Sequence, residues 1–424
     1  MVVKNQLWND ARVKKEALTL AGAGLPVTIL CQPEDGAPPR ELWNGMEIVR
    51  IARSGRLRAS IRRALDTAEQ GDGAGTGGPA PGILARLRRN RLRRTLGDLL
   101  YAFLYQARLL RAALSAKADV YHAHDLDTLA VCAVAASARG AKLVYDSHEL
   151  WLESTRHLSE TPQPFRFMER LTERLLAPCA DAVISVTPGR SAVMERMYPS
   201  MPVPFLVPNY PPLAVPAERS AEIRRELGVI EEPCFLFLYQ GIICPQRGLE
   251  QLLAASAALR GSRVRISIVG HDASGGAIRA LAEELGVMDV VSFHPPVNSE
   301  ELHRLTGSAD AGLILFQGNC LNHTLSLPNK LFEYMMSSIP ILSCDLPEIA
   351  SVLAEHGSGV AVDASDPSVI ARAMLRMAEN PAAAAEMGRR GREAAASSYT
   401  WSRSEEVLLR LYAGLPGAEK GSEE

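Results

Sequence analysis

Two short runs, Asp119-Val120-Tyr121-His122-Ala123-His124-Asp125-Leu126-Asp127 and Tyr145-Asp146-Ser147-His148-Glu149, put three histidines and four carboxylates (Asp125, Asp127, Asp146 and Glu149) near the carboxyl ends of two predicted strands. Such a set resembles metal ligands at first sight, and Asp125 with Asp127 makes a D-x-D pair. That pair opens a helix, however, with Asp125 as its N-cap, so no metal is expected. His148 is the functional candidate, because a polar D-S-H-E run rarely ends a buried strand without purpose. His122 or His124 reads as a supporting residue.

A second group of residues suits an anion. In open parallel sheets ligands bind beyond the carboxyl ends of strands, where loops lead into helix N-termini. After Cys234-Phe-Leu-Phe-Leu-Tyr239 come Gln240-Gly241 and then Pro245-Gln246-Arg247-Gly248. Gly241 allows backbone to approach a ligand, and Arg247 offers a fork of donors to paired phosphates. The competing reading, an exposed arginine at a helix start, sets its charge against the helix dipole. Gly270, after Val264-Arg-Ile-Ser-Ile-Val269, is a second and weaker close-approach glycine, and His271 reads as a solvent-facing loop residue.

The segment Leu325-Ser326-Leu327-Pro328-Asn329-Lys330-Leu331-Phe332-Glu333 is the most informative. Ser326 can cap and Pro328 suits a first helical turn. The free N–H groups there, with Asn329 and Lys330, would make an anion site. Glu333 lies one turn on, on the same face, where its carboxylate can accept from two ribose hydroxyls. The competing reading is a plain Lys–Glu surface pair.

The elements that must position these residues alternate. Short β-branched runs at 26–31, 47–51, 119–122, 142–146, 182–186 and 203–207 are separated by helical patterns at 10–23, 126–139, 164–177 and 189–198. After the proline-rich linker that follows Asn209 the scheme repeats. Strands are expected at 234–239, 264–269, 290–293, 311–316 and 339–343, and helices at 248–259, 275–285, 299–307, 328–337, 367–379, 381–396 and 401–413. This is the signature of parallel sheets with crossover helices. The spacing predicts an N-terminal unit over 1–207, a C-terminal unit over 208–400, a final helix over 401–413 returning to the first unit, and a disordered tail over 414–424.

Residues 53–115 break the pattern as a basic helical insertion, with a flexible glycine-rich stretch at 71–82. The stretch 83–111 combines apolar residues at helical spacing with Arg86, Arg88, Arg89, Arg91, Arg93 and Arg94. It can be read either as an amphipathic helix for an anionic membrane surface or as a solvated helix over the sheet.

Composition sets the bounds. The 424 residues exceed what one core usually supports, and a formal net charge of −2 gives no general pull toward nucleic acid. The seven cysteines are scattered without a C-x-x-C pair, which fits free thiols in a reducing compartment. No signal peptide opens the chain and no apolar run reaches membrane-spanning length. The expected location is the cytoplasm, or the cytosolic face of a membrane. The G-x-S-x-G, G-x-x-x-x-G-K-[ST] and G-x-G-x-x-G templates are absent.

Taken in order, DARVKKEALTLAGAGLPVTIL, DVYHAHDLDTL, KLVYDSHEL, VPNYPP, QRGLEQLL and LPNKLFEYMMSSIPIL resemble segments of retaining glycosyltransferase family 4. The resemblance implies the GT-B fold, an α/β architecture of two Rossmann-like domains facing each other across a cleft. It implies metal-independent transfer of a sugar from a nucleotide diphosphate to a glycan or lipid-linked acceptor, with retention and without a resident cofactor. It puts Arg247 on the donor diphosphate with Lys330 as second cation, Glu333 on the ribose as second glutamate of the E-x-x-x-x-x-x-x-E motif, and His148 beside the donor sugar. Three departures stand out. Leu325 replaces the first motif glutamate, leaving Asn322 or His323 to serve the sugar. Ile242 stands where a second arginine is usual. The first strand is very short and lacks the usual glycine pair, which is compatible with a start further upstream. Two other readings stay open, a nucleotide-sugar 2-epimerase of the same fold and a non-catalytic sugar-nucleotide-binding protein.

Overall fold

The computed structural model describes residues 1–52, 102–229 and 233–415. The glycine-rich stretch at 71–82, the arginine cluster of 83–94 and most of the tail lie outside the described residues.

Strands of the first half are β1 (Thr28–Cys31), β2 (Arg40–Trp43), β3 (Met46–Arg50), β4 (Val120–His124), β5 (Lys142–Ser147), β6 (Ala182–Ser185) and β7 (Phe205–Leu206). They pair in the orders β1-β3-β2 and β4-β5-β6-β7. Val2 joins the two groups, bridging Leu30 of β1 and Ala123 of β4 in parallel. The β2–β3 pair is antiparallel and turns through Asn44-Gly45, both at positive φ, the residue pair that a tight hairpin favours. Strand β2 is not among the elements expected from sequence, because its pairing depends on the Asn44-Gly45 turn and not on an apolar run of its own.

The second half holds a six-stranded parallel sheet in the order β10-β9-β8-β11-β12-β13. Its members are β8 (Phe235–Gln240), β9 (Val264–Val269), β10 (Val291–His294), β11 (Ala311–Ile314), β12 (Ile341–Cys344) and β13 (Gly359–Val362). Every residue of β8 is buried, as expected of a strand covered on both faces. The chain is therefore two α/β domains, each on a largely parallel sheet.

One packing contact fixes the segment that carries Lys330 and Glu333. The helix Asn329–Met336 buries Leu331, Phe332, Tyr334 and Met335. The Tyr334 hydroxyl donates to the Leu238 carbonyl at 3.0 Å and accepts from the Gln240 N–H at 3.2 Å. A Cβ at Gly312 would lie 2.4 Å from the Tyr334 ring. Only glycine lets that ring reach β8, so the register of the helix against the sheet is set there.

The chain crosses between domains twice, side by side. Trp401 N–H donates to the Pro211 carbonyl at 2.8 Å, and Tyr210 packs edge-on against Phe332 and Tyr399. Helix Trp401–Ala413 then lies on the first domain, with Trp401, Leu408 and Leu411 sharing an apolar cluster with Leu20, Val144, Ile184 and Val207. Ser404 Oγ donates to the Pro208 carbonyl and Trp401 Nε1 to Thr19 Oγ1. The described part of the insertion is helical over 102–116 and turns Tyr105, Leu109 and Ala113 into the first domain's core.

Candidate active site

On the second domain's side, β8 ends at Gln240 and Gly241 takes φ +132°. A Cβ on Gly241 would sit 3.2 Å from Lys330 Nζ, so the bare backbone makes room for that ammonium. Lys330 Nζ lies 4.1 Å from the Tyr239 ring centroid and 5.3 Å from that of Phe316. The Arg247 guanidinium stands 4.9 Å from the same Phe316 ring. Burial and the Arg247 charge lower the Lys330 pKa to about 7. Two cations held together on an aromatic ring, without a carboxylate salt bridge to either among the described residues, form a site that an anion would stabilise.

Glu333 accepts a short hydrogen bond from Gln240 Nε2, and Gln240 Oε1 in turn accepts from Thr306 Oγ1 at 2.9 Å. Burial raises the Glu333 carboxyl above its usual range against the pull of Lys330. Asn329 is exposed at the first turn of its helix. Ser326 does not cap that helix, contrary to expectation. Its hydroxyl donates to the His323 carbonyl, and Pro328 holds the cap position with no side-chain hydrogen bond. The reason is spacing, since Ser326 lies two residues too early. Gly270 has a structural requirement of its own, because a Cβ there would meet the Gly241 carbonyl oxygen at 1.8 Å. His271 is exposed, as expected.

In the first domain His148 follows β5. Its Nε2 lies 2.8 Å from Asp146 Oδ2 and its Nδ1 3.5 Å from Asp125 Oδ2. Burial alone would lower its pKa, but Asp125 and Asp146 prevail and raise it to about 10. His148 is therefore an imidazolium at neutral pH. Asp125 is not the side-chain cap predicted for helix Leu126–Arg139. Its carboxylate instead accepts from the His148 N–H at 3.0 Å. Its backbone, at φ 62° and ψ 167°, occupies a region that residues other than glycine rarely adopt, at a cost of about 1–3 kcal/mol.

Beneath His148 lies a buried ionic network. Arg12 donates from Nε and Nη2 to the two oxygens of Asp146 at 3.0 and 2.8 Å, and from Nη1 to the Val207 carbonyl at 2.6 Å. Glu16, one turn along, is 2.9 Å from Arg12 Nη2, and burial pushes its carboxyl up to about 8. Burial lowers His122 and His124, so both are neutral. His122 Nδ1 pairs with Tyr412 OH of the final helix at 2.8 Å. Ligand-type atoms of Glu16, His122, His124 and Asp146 lie within 4.8 Å of one another. The Arg12 fork already occupies both Asp146 oxygens, and the chemistry of the cluster is that of an arginine–carboxylate pair supporting His148.

A cavity of about 220 Å³ opens where the domains meet, lined by Arg12, His148, Glu149, Val186, Arg190 and Asn209 from one side and Leu327, Asn329 and Phe332 from the other. His148 and Asn329 thus share one space. Arg247, Lys330 and Glu333 form an adjoining group rather than part of that lining. The His323 pKa is lowered by burial and by the charges of Arg247 and Arg190, one from each group.

Arg190 was overlooked in the sequence. It donates to the His148 carbonyl at 2.6 Å and to the Asn322 carbonyl at 3.0 Å, joining the domains. Its signal was present, since Thr187-Pro188-Gly189-Arg190 follows β6 in the same strand-end position that singled out His148. Arg12 was missed too, although Arg12, Glu16 and Thr19 recur on one helical face. Asn322, expected to serve the sugar in place of the missing glutamate, is committed elsewhere. Its Oδ1 accepts from Leu150 N–H at 3.0 Å. Leu325 packs against the first domain's apolar cluster, and its carbonyl accepts from Thr187 Oγ1 at 3.1 Å.

Known proteins agree with this architecture. Residues 11–210 match the model of the glycosyl transferase 4-like domain, and residues 220–394 that of glycosyl transferases group 1. A D-inositol 3-phosphate glycosyltransferase of Streptomyces scabiei is 25% identical over 309 residues, covering 69% of this chain and 67% of that protein. Its counterpart in Acidothermus cellulolyticus is 26% identical, covering 69% and 66%. Among solved structures, Anabaena HepE in complex with UDP matches at a TM-score of 0.70, with 13% identity, over 98% of this chain and 99% of that one. Sucrose-phosphate synthase from Thermosynechococcus elongatus matches at 0.69, with 19% identity, over 95% and 92%. With both halves of the cleft accounted for by these matches, the chain belongs to the group 1 glycosyltransferases and has their GT-B fold.

Proposed function

We propose that the protein transfers a sugar from a nucleotide diphosphate to an acceptor, with retention and without a metal, in the cleft between its domains. The observation that carries this reading is the pairing of Arg247 and Lys330 on Phe316, beside the open backbone of Gly241. Leaving-group departure builds negative charge on a diphosphate, and preorganised cations at that point stabilise it. Glu333, held by Gln240, would accept from the ribose hydroxyls. Asn329, Ser326 and the uncapped turn before Lys330 supply neighbouring polar groups, and Gly241 and Gly270 keep the strand ends open to the nucleotide. His148, with Nε2 engaged by Asp146 and Nδ1 3.5 Å from Asp125 Oδ2, would orient a sugar hydroxyl that shares Nδ1–H with the Asp125 carboxylate. As an imidazolium it orients and does not act as the base, so the leaving phosphate is left to help deprotonate the acceptor.

The solved HepE structures are described as complexes with UDP and UDP-glucose, which makes uridine diphosphate sugars the first donors to try. The curated relatives are named for a polyol phosphate acceptor, so such acceptors belong in the panel beside glycan and lipid-linked ones. The test is release of nucleoside diphosphate from a panel of donors, with and without acceptor, for the wild type, Arg247→Ala and Glu333→Ala. Acceptor-dependent release that both variants abolish supports the reading; unchanged release overturns the site. Free nucleotide with a rearranged sugar and no glycosylated product would point to epimerisation. Donor binding without any turnover would point to a binding protein.

A further inference from the structure

The cavity between the domains is lined by two carboxylates whose commitments differ. Asp10 Oδ1 accepts from the N–H groups of Arg12 and Val13 at 3.1 Å each, and Asp10 Oδ2 from Asn5 Nδ2 at 2.7 Å. That carboxylate caps a helix. Glu149 is exposed, and among the described residues its side chain accepts one hydrogen bond, from Asn322 Nδ2 of the second domain at 3.4 Å. The contact is long, and most of the carboxylate's acceptor capacity is left to whatever fills the cavity.

The backbone around Glu149 is clamped at three consecutive residues. Arg190 Nη1 donates to the His148 carbonyl at 2.6 Å, Ser147 Oγ to the Glu149 carbonyl at 2.9 Å, and the Leu150 N–H to Asn322 Oδ1 at 3.0 Å. Leu150 is anchored in the first domain's core. Glu149 therefore leaves a fixed turn next to His148, as a preorganised binding group must. The second domain brings no carboxylate to this cavity, since Leu327, Asn329 and Phe332 line its side.

We propose that Glu149 reads the donor sugar, accepting hydrogen bonds from two neighbouring ring hydroxyls in the cavity it shares with His148 and Asn329. The assignment rests on the transfer reading above, which puts the sugar beside His148. A hydroxyl moved from water into a closed cleft needs an acceptor there, and a carboxylate serves two at once. The His148 imidazolium and the Arg190 guanidinium of the same cavity can only donate. Glu149 supplies the complementary half of the contact. The substrate class follows from this geometry. The donor sugar carries an unmodified pair of adjacent hydroxyls, and sugars deoxygenated there are turned over poorly, because the carboxylate is then left unpaired in the closed cleft.

The experiment is steady-state kinetics of the full chain, wild type and Glu149→Gln, with the best-used nucleotide sugar of the donor panel. Analogues of that sugar lacking one ring hydroxyl in turn are run beside it. Glu149→Gln lowers kcat/KM for the intact donor about 10- to 100-fold. The inhibition constant of the free nucleoside diphosphate and the melting temperature stay at wild-type values. Among the analogues, the penalty of the substitution collapses where either of two adjacent hydroxyls is missing and persists elsewhere. Wild-type kcat/KM in Glu149→Gln overturns the assignment alone. So does a parallel rise in KM and in the inhibition constant of the nucleoside diphosphate, which marks a strut between domains, or a penalty that no deoxygenation relieves. A wild type that releases nucleoside diphosphate from no donor of the panel overturns the transfer reading, and this assignment with it.

Discussion

Arg247 and Lys330 come from segments more than eighty residues apart, yet both rest on the ring of Phe316, at 4.9 and 5.3 Å from its centroid. The second domain thus concentrates positive charge at the carboxyl end of its sheet. Burying like charges together destabilises a protein unless a ligand of opposite sign is expected there. Removing one cation should therefore harm turnover far more than folding. Arg247→Ala is expected to lower kcat by about 10²- to 10³-fold, with a melting temperature near that of the wild type. Steady-state kinetics and a thermal melt on the same preparation check both halves.

Lys330 gives a pH prediction with a definite sign. Its ordinary pKa is 10.5 and in the fold it is lowered to about 7. The unfolded chain therefore binds more protons than the folded one between about pH 7 and 10.5, and this residue makes stability rise with pH across that window. Donor affinity runs the opposite way, falling as pH climbs through about 7 and the ammonium loses its proton. Lys330→Met should raise the melting temperature of the unliganded protein, flatten the pH dependence in that window and abolish turnover. Melts across pH 6–9 read the first two outcomes, a turnover assay reads the third, and donor titrations over the same range follow the affinity.

His148 behaves in reverse. Asp125 and Asp146 overcome burial and raise its pKa from 6.5 to about 10. Its contribution to stability is fully present below pH 6.5 and is lost as pH rises through about 10. His148→Ala should flatten the stability curve in that range. An NMR titration of the imidazole should show no deprotonation between pH 6 and 8.

Much of the fold was legible because strand and helix periodicities differ, and the runs at 234–239 and 264–269 read as strands that the structure places at Phe235–Gln240 and Val264–Val269. Trp401 and Leu408 of the final helix share an apolar cluster with Leu20, Val144 and Val207. Local signals failed where geometry is decided at a distance. Asp125 has the residue type of a cap, but the N–H of His148 claims its carboxylate. Asn322 was chosen for its proximity in sequence to a missing glutamate, yet Leu150 of the other domain holds it. Arg12 lies 134 residues from Asp146, and no local pattern announces such a pair.

The domain interface yields a further prediction. Gly189 N–H donates to Glu348 Oε1 at 2.6 Å, and a Cβ on Gly189 would fall 2.2 Å from that oxygen and 2.8 Å from Leu325 Cδ2. Gly189→Ala should turn the ends of the Glu348 and Leu325 side chains aside and break the Gly189–Glu348 hydrogen bond across the interface, raising KM and lowering kcat modestly while each domain keeps its own core. Steady-state kinetics of the variant beside a thermal melt should record the change in KM and kcat with little change in melting temperature.

Calorimetric titration of a nucleoside diphosphate into wild type and Lys330→Met tests the cationic grip most directly, with the parent nucleoside as control. A wild-type affinity for the diphosphate that exceeds the nucleoside's, weakens with salt and drops at least tenfold in the variant is the predicted result. Equal affinities for diphosphate in the two proteins would contradict it.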